Sequence, residues 1–152
     1  MIVKLTYDEI EICKTIGEKR SLIARAAHVK DQKIGNQNGV EADIQGMIGE
    51  FAFAKQFNVF PDFGLSPRSG GYDGICGGLR YDIKSTKYKS GRLLCTRKYN
   101  KDVDVYVLAI VDVPEVNLVG FAYSSQLINP DNLINLGHGL GYALDQYELI
   151  KF

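Results

Sequence analysis

The chain has 152 residues, 45% of them hydrophobic, with 18 basic and 18 acidic side chains and a net charge of zero. That length holds one domain with a sizeable core, and the apolar content argues against disorder. No apolar run approaches the roughly 20 residues of a membrane span, the opening Met1-Ile2-Val3-Lys4 lacks a signal-peptide pattern, and Cys13, Cys76 and Cys95 lack the number and spacing of a disulfide framework or zinc knuckle, so a cytoplasmic protein without a membrane partner is expected.

Thr6 and Glu9 have capping-box spacing. Ile10, Cys13, Ile16, Ile23 and Ala27 follow at helical intervals, which predicts a first helix over residues 7–29. Residues 30–39 are polar, include Gly35 and Gly39, and read as a loop. A second helix is expected over residues 40–57, with Asn38 and Glu41 as its cap pair. Its face through Met47, Glu50, Phe53, Ala54 and Phe57 is apolar apart from Glu50, and a lone carboxylate on such a face requires a partner or a metal. Gly46 and Gly49 each cost about 0.5–1 kcal/mol relative to alanine inside a helix. Close approach of this helix to a sheet would offset that cost and bring Glu50 near the strands.

Residues 61–71 hold two prolines and three glycines and form a loop. Strands are expected over residues 72–76 and 79–86, joined by Gly77-Gly78, a two-residue hairpin signal. Residues 103–111 are nearly all apolar, as in a strand covered on both faces. Pro114 marks a turn into a strand over residues 116–123. Asn129-Pro130 opens a short helix through residue 136, residues 137–141 read as a loop, and residues 147–152 as a last edge strand. The expected architecture is α/β, a central mixed β-sheet flanked by helices.

The chemistry concentrates on the strand over residues 79–86. Alternation puts Leu79, Tyr81 and Ile83 on one face and Arg80, Asp82 and Lys84 on the other. Asp73 lies nine residues before Asp82, so the two carboxylates on adjoining strands could share one Mg²⁺ (or Mn²⁺). The Ile83 carbonyl is a third candidate ligand, and Glu50 could reach the same ion through water or hold a second. Such an ion would polarise a phosphodiester and activate water, while Lys84 would stabilise charge developing on phosphorus. The plainer alternatives are a surface ion pair for Asp82 with Lys84 and a turn-forming role for Asp73. His28 and His138 lack a partnered nucleophile, so triad chemistry is not indicated.

Charge is unevenly spread. Residues 80–101 carry eight bases against Asp82 alone, a balance of +7, which leaves 10 bases and 17 acids, or −7, elsewhere. Lys87, Lys89, Arg92, Arg97, Lys98 and Lys101 are therefore candidate phosphate contacts of a DNA-facing edge. A solvated basic loop is the alternative.

Glu50 after Gly46-Met47-Ile48-Gly49, then Asp73, then Asp82-Ile83-Lys84-Ser85-Thr86, resembles the PD-(D/E)xK nuclease superfamily. That group includes restriction endonucleases, Holliday-junction resolvases and small phage nucleases. The resemblance implies a restriction-endonuclease-like α/β core over residues 40–123 of a single domain 1–152, with residues 1–39 as a helical extension. It assigns Asp73 and Asp82 as metal ligands, Glu50 as the helix acid and Lys84 as the catalytic lysine. The implied activity is Mg²⁺-dependent endonucleolytic cleavage of DNA, with a homodimer cutting two strands. A non-catalytic nucleic-acid- or protein-binding member of the same fold is the second reading, and a plain interaction domain the third. Tyr72 stands where the family pattern has proline, and Pro61-Asp62 offers Asp62 as a competitor, but the nine-residue separation from Asp82 favours Asp73. The clear helix that the family often has between its third and fourth core strands is not predicted here.

Overall fold

The computed structural model describes residues 1–27, 38–66, 71–137 and 139–152. The end of the first predicted helix, most of the loop after it, and both histidines lie outside the described residues. A short strand β1 (Ile2–Lys4) leads into helix α1 (Tyr7–Ala26), and α2 (Gly39–Phe57) follows. The capping box forms at α1. Thr6 Oγ1 accepts the Glu9 N–H at 3.2 Å and Glu9 Oε2 accepts the Thr6 N–H at 2.7 Å. At α2, Asn38 Oδ1 accepts the Glu41 N–H at 3.0 Å, and Asn58 ends the helix in the left-handed conformation. Among the described residues, no helix is long and apolar enough to cross a membrane.

The hairpin β2 (Gly74–Cys76) and β3 (Leu79–Thr86) turns at Gly77 and Gly78, with φ of +58° and +82°. Positive φ at both central residues suits a turn whose twist matches the strands, and only glycine adopts it freely. After β4 (Leu93–Thr96), strands β5 (Val105–Asp112) and β6 (Glu115–Tyr123) form a second hairpin. The remaining elements are a short helix α3 (Ser124–Leu127) and strands β7 (Leu133–Asn135) and β8 (Leu140–Leu144).

The fold is mixed α/β. One sheet has the order β1-β6-β5-β3-β2, with β3 and β5 parallel and its other pairs antiparallel; a second has the order β4-β8-β7. Helix α2 lies on one face of the first sheet, with α1 packed outside it. There Met47, Ile48 and Phe53 meet Tyr81, Ile83, Val105, Val107 and Leu118. The opposite face carries Tyr106, Leu108 and Ala122 under Leu93 and Cys95 of β4, Leu127 of α3 and Leu144 of β8. Strand β5 is thus buried on both faces from Val105 to Val111, as its unbroken apolar run requires.

A bulge makes β6 serve both cores. Leu108 pairs with Gly120 and Ala109 with Leu118, so Val119 is the extra residue. The bulge reverses the alternation: Val116 and Leu118 face the helices, whereas Ala122 faces the second sheet.

Helices α1 and α2 cover one face of the first sheet, and the β4-β8-β7 sheet together with α3 covers the other. Two expectations are corrected here. The helix expected from Pro130 is a single 3-10 turn, Pro130–Asn132, that passes directly into β7. The final edge strand reduces to one bridge between Ile150 and Phe121, after a 3-10 turn at Gln146–Glu148.

Candidate active site

Helix α2 comes down on the sheet at Gly49. A Cβ there would collide with the Ser85 hydroxyl and lie 3.4 Å from Ala109 Cβ. This is the close approach that the glycine signals. At Gly46 a Cβ would meet nothing within 4 Å, so only one of the two glycines has that reason.

The next residue turns away from the sheet, because successive helical residues differ by about 100°. Glu50 therefore faces α1, where Arg20 Nη1 donates to Glu50 Oε2 at 3.1 Å, with side chains 13% and 15% exposed. Arg20 also binds the loop after α2 through the carbonyls of Gly64, at 2.9 Å, and Asp62. Asp62, the competing acid, is exposed, and its Oδ1 accepts the Gly64 N–H at 2.7 Å.

Asp82 and Lys84 project from β3 to the other face of the sheet. Their registers on β5 are Tyr106 and Leu108, both in the core beneath the second sheet. Lys84 Nζ sits 2.8 Å from Asp82 Oδ1 and 2.9 Å from Asp82 Oδ2. The lysine stem passes over Tyr106, placing Nζ 5.7 Å from the ring centroid.

Asp73 joins them from the sheet edge. Its backbone N–H donates to the Tyr81 carbonyl at 2.8 Å, and its Oδ2 accepts the Ile83 N–H at 2.7 Å. The amide and carbonyl of one strand residue point to the same side, so the Ile83 carbonyl is directed toward the Asp73 edge as well. Burial opposes the charge on Lys84. The attraction of Asp82, their hydrogen bond and the field of Asp73 together outweigh it and hold the lysine pKa above its ordinary value. Lys84 is therefore a fixed cation at neutral pH, suited to stabilising negative charge and not to abstracting a proton.

The group opens into a cleft of about 100 Å³ whose lining includes Asp82, Lys84, Cys95, Lys98, Tyr99 and Tyr106. The Tyr106 hydroxyl is buried beside the Cys95 thiol without a well-formed hydrogen bond. Burial raises the pKa of both groups, so neither is a ready nucleophile. Cys95 and Tyr106 were not singled out as site residues from the sequence, and their apolar surroundings read as core.

The three acids do not converge. Among the described residues, no group of three or more His, Cys, Asp or Glu side chains is placed to hold one metal ion. Asp73 binds the Ile83 N–H, and the neighbouring residues on that strand, Asp82 and Lys84, pair with each other, while Glu50 pairs with Arg20 of α1. The sequence places Glu50 on an apolar face, but α2 has two such faces, one toward the sheet and one toward α1. The donor set still fits a hard cation, since Mg²⁺ is often held by one or two carboxylates, waters and substrate phosphates. Lys84 already marks a cation position on Asp82.

Two of the candidate phosphate contacts have acidic partners. Arg92 Nε pairs with Asp145 at 2.7 Å, and Lys89 lies 3.8 Å from Asp112. Lys87 is exposed over the Tyr88 ring, Arg97 and Lys101 are exposed, and Lys98 lines the cleft. Arg80 is structural: its N–H, Nε and Nη2 donate to the Asp104 carboxylate at 2.8, 2.9 and 2.9 Å, tying β3 to the start of β5.

A family model matches residues 2–118, well over half of the chain. The chain belongs to DUF5843, a family of unknown function. The matched span runs from β1 into β6 and contains Glu50, Asp73, Asp82, Lys84 and all of the cleft residues named above. It stops before α3, β7 and β8. No curated protein and no solved structure matches the chain.

Proposed function

We propose that this DUF5843 protein is a Mg²⁺-dependent endonuclease acting on DNA, built on a restriction-endonuclease-like core. The observation that carries this reading is the joint placement of Asp73, Asp82 and Lys84 at one point of β3, beside a cleft that Lys98 also lines. The parallel β3–β5 pair with α2 packed across it supports the same core.

Asp82 and Asp73 would hold the ion, with the Ile83 carbonyl beside them. When bound, that ion supplies a Lewis acid for the phosphodiester and an activated water. Lys84 then carries a permanent positive charge to the phosphoryl oxygens, where negative charge grows in the transition state. Lys98, and the exposed Lys87, Arg97 and Lys101 nearby in sequence, position the DNA backbone without reading its bases. Glu50 serves the site from outside it, by binding α1 to α2 through Arg20.

The deciding experiment is nicking of supercoiled plasmid with Mg²⁺ or Mn²⁺, set against Asp82→Asn protein and against EDTA. Metal-dependent nicking that disappears in Asp82→Asn supports the reading. Equal background in all arms overturns it.

The position of Glu50, engaged with Arg20, favours a second reading, a non-catalytic DNA-binding member of the same fold. Salt-sensitive DNA binding without cleavage in any divalent ion would support that one.

A further inference from the structure

We propose that Lys84 is an internal competitor for the divalent ion: its ammonium occupies the seat on Asp82 that the ion must take, and metal loading releases it toward the substrate. The inference rests on the nuclease reading of this site and specifies the order in which the site assembles.

Its ground is the position of one nitrogen. Lys84 Nζ lies 2.8 Å from one oxygen of Asp82 and 2.9 Å from the other, astride the carboxylate. An ion bound to those oxygens at about 2.0–2.1 Å would share that space with the ammonium. Two cations so close repel strongly in a partly buried site, and the tethered one must leave. Asp73, held at the Ile83 N–H, adds negative charge that favours the ion arriving with two positive charges over the ammonium with one.

Lys84 has a place to go. Its side chain is 36% exposed, its four-carbon stem is flexible, and the cleft extends from it toward Lys98 and Tyr99. While Asp82 engages the ammonium, its charge is neutralised where it stands. Once an ion replaces it, the same ammonium faces a phosphate entering the cleft. The ion comes first, then the lysine.

The test measures Mn²⁺ binding by the paramagnetic resonance signal of the free ion, without nucleic acid, on the full chain. Circular dichroism checks the folding of each variant. Lys84→Met should bind Mn²⁺ at least about tenfold tighter than the unmodified protein, because the competing charge is gone. Lys84→Arg retains the charge and should bind within about twofold of the unmodified protein. Should Lys84→Met fail to fold, Lys84→Gln removes the charge and keeps a polar stem. A merely structural lysine would leave the affinity unchanged or weaken it. Equal or weaker Mn²⁺ binding by Lys84→Met, in a protein that still nicks plasmid with Mn²⁺ when unmodified, overturns the competition and leaves the nuclease reading standing. No Mn²⁺ binding by either protein, together with no nicking, overturns both.

Discussion

Glu50 and Arg20 are both largely shielded from water and lie 3.1 Å apart, so removing either takes an opposite charge away from the other. Glu50→Ala and Arg20→Ala should each lower stability by about 1–3 kcal/mol. The double variant should lose less than the sum, which urea denaturation in a double-mutant cycle would show. If Glu50 acts only through this pair, the folded fraction of Glu50→Ala should nick DNA within about threefold of the unmodified rate. A hundredfold loss would return it to the chemistry. For Lys84→Ala the expected loss is a factor of about 10²–10³ in rate, measured under saturating Mg²⁺ so that metal affinity does not enter. Asp104 gives a separate handle. Its hydrogen bonds from Arg80 hold its pKa near 2, below the ordinary 3.8. A carboxyl depressed by folding contributes stability that is present above the unfolded pKa and lost as pH falls through the folded one. Acid titration between about pH 4 and pH 2 should therefore show a loss of stability that Asp104→Asn lacks; parallel curves would mean that Arg80 gains nothing from this partner.

The second helix carries two glycines with different neighbourhoods, and they separate packing from propensity. Gly49→Ala would drive a methyl group into the Ser85 hydroxyl, and overpacking of that kind costs about 1–3 kcal/mol. Gly46→Ala meets open space and should stabilise by about 0.5–1 kcal/mol through helix propensity alone. Thermal unfolding of the two variants should move in opposite directions. A stabilised Gly49→Ala would show that α2 does not seat on β3 and β5 as described. Both glycines sit in a helix that the sequence marks clearly, since the Asn38 cap, the length and the apolar density all agree. Nothing local distinguishes the one against the sheet from the one in open space. That depends on which strand passes beneath, and Ser85 is 36 residues further along the chain.

Across the whole molecule, the positive charge gathered in residues 80–101 is divided by the fold. Arg80 and Arg92 are engaged by Asp104 and Asp145, and Lys98 lies at the cleft with Asp82 and Lys84. If DNA runs along that cleft, affinity should fall steeply with salt. Each lost phosphate contact should then reduce the log–log slope by about 0.9 on duplex DNA. Lys98→Ala and the Lys87→Ala/Lys89→Ala pair should each weaken binding similarly for unrelated sequences, measured with Ca²⁺ in place of Mg²⁺. Arg92→Ala should chiefly reduce stability, through loss of Asp145. An unchanged salt slope in the Lys98 variant would place the DNA elsewhere.

Local patterns were enough for the elements whose cause is local. The Thr6–Glu9 box, the Asn38 cap, the Gly77-Gly78 turn and the doubly buried β5 each depend on residues within a few positions of one another. Alternation along β3 likewise put Asp82 beside Lys84, because neighbours on one strand face are set by a period of two. Short strands such as β4, β7 and β8 carry too few residues for a pattern of their own. They exist because pairing with one another lets them cover the sheet face that the helices leave open. The partner of Glu50 was illegible for the same reason. An apolar helix face calls for something to bury a carboxylate against, and only the packing of α1 on α2 brings the guanidinium of Arg20, thirty residues away, to Glu50.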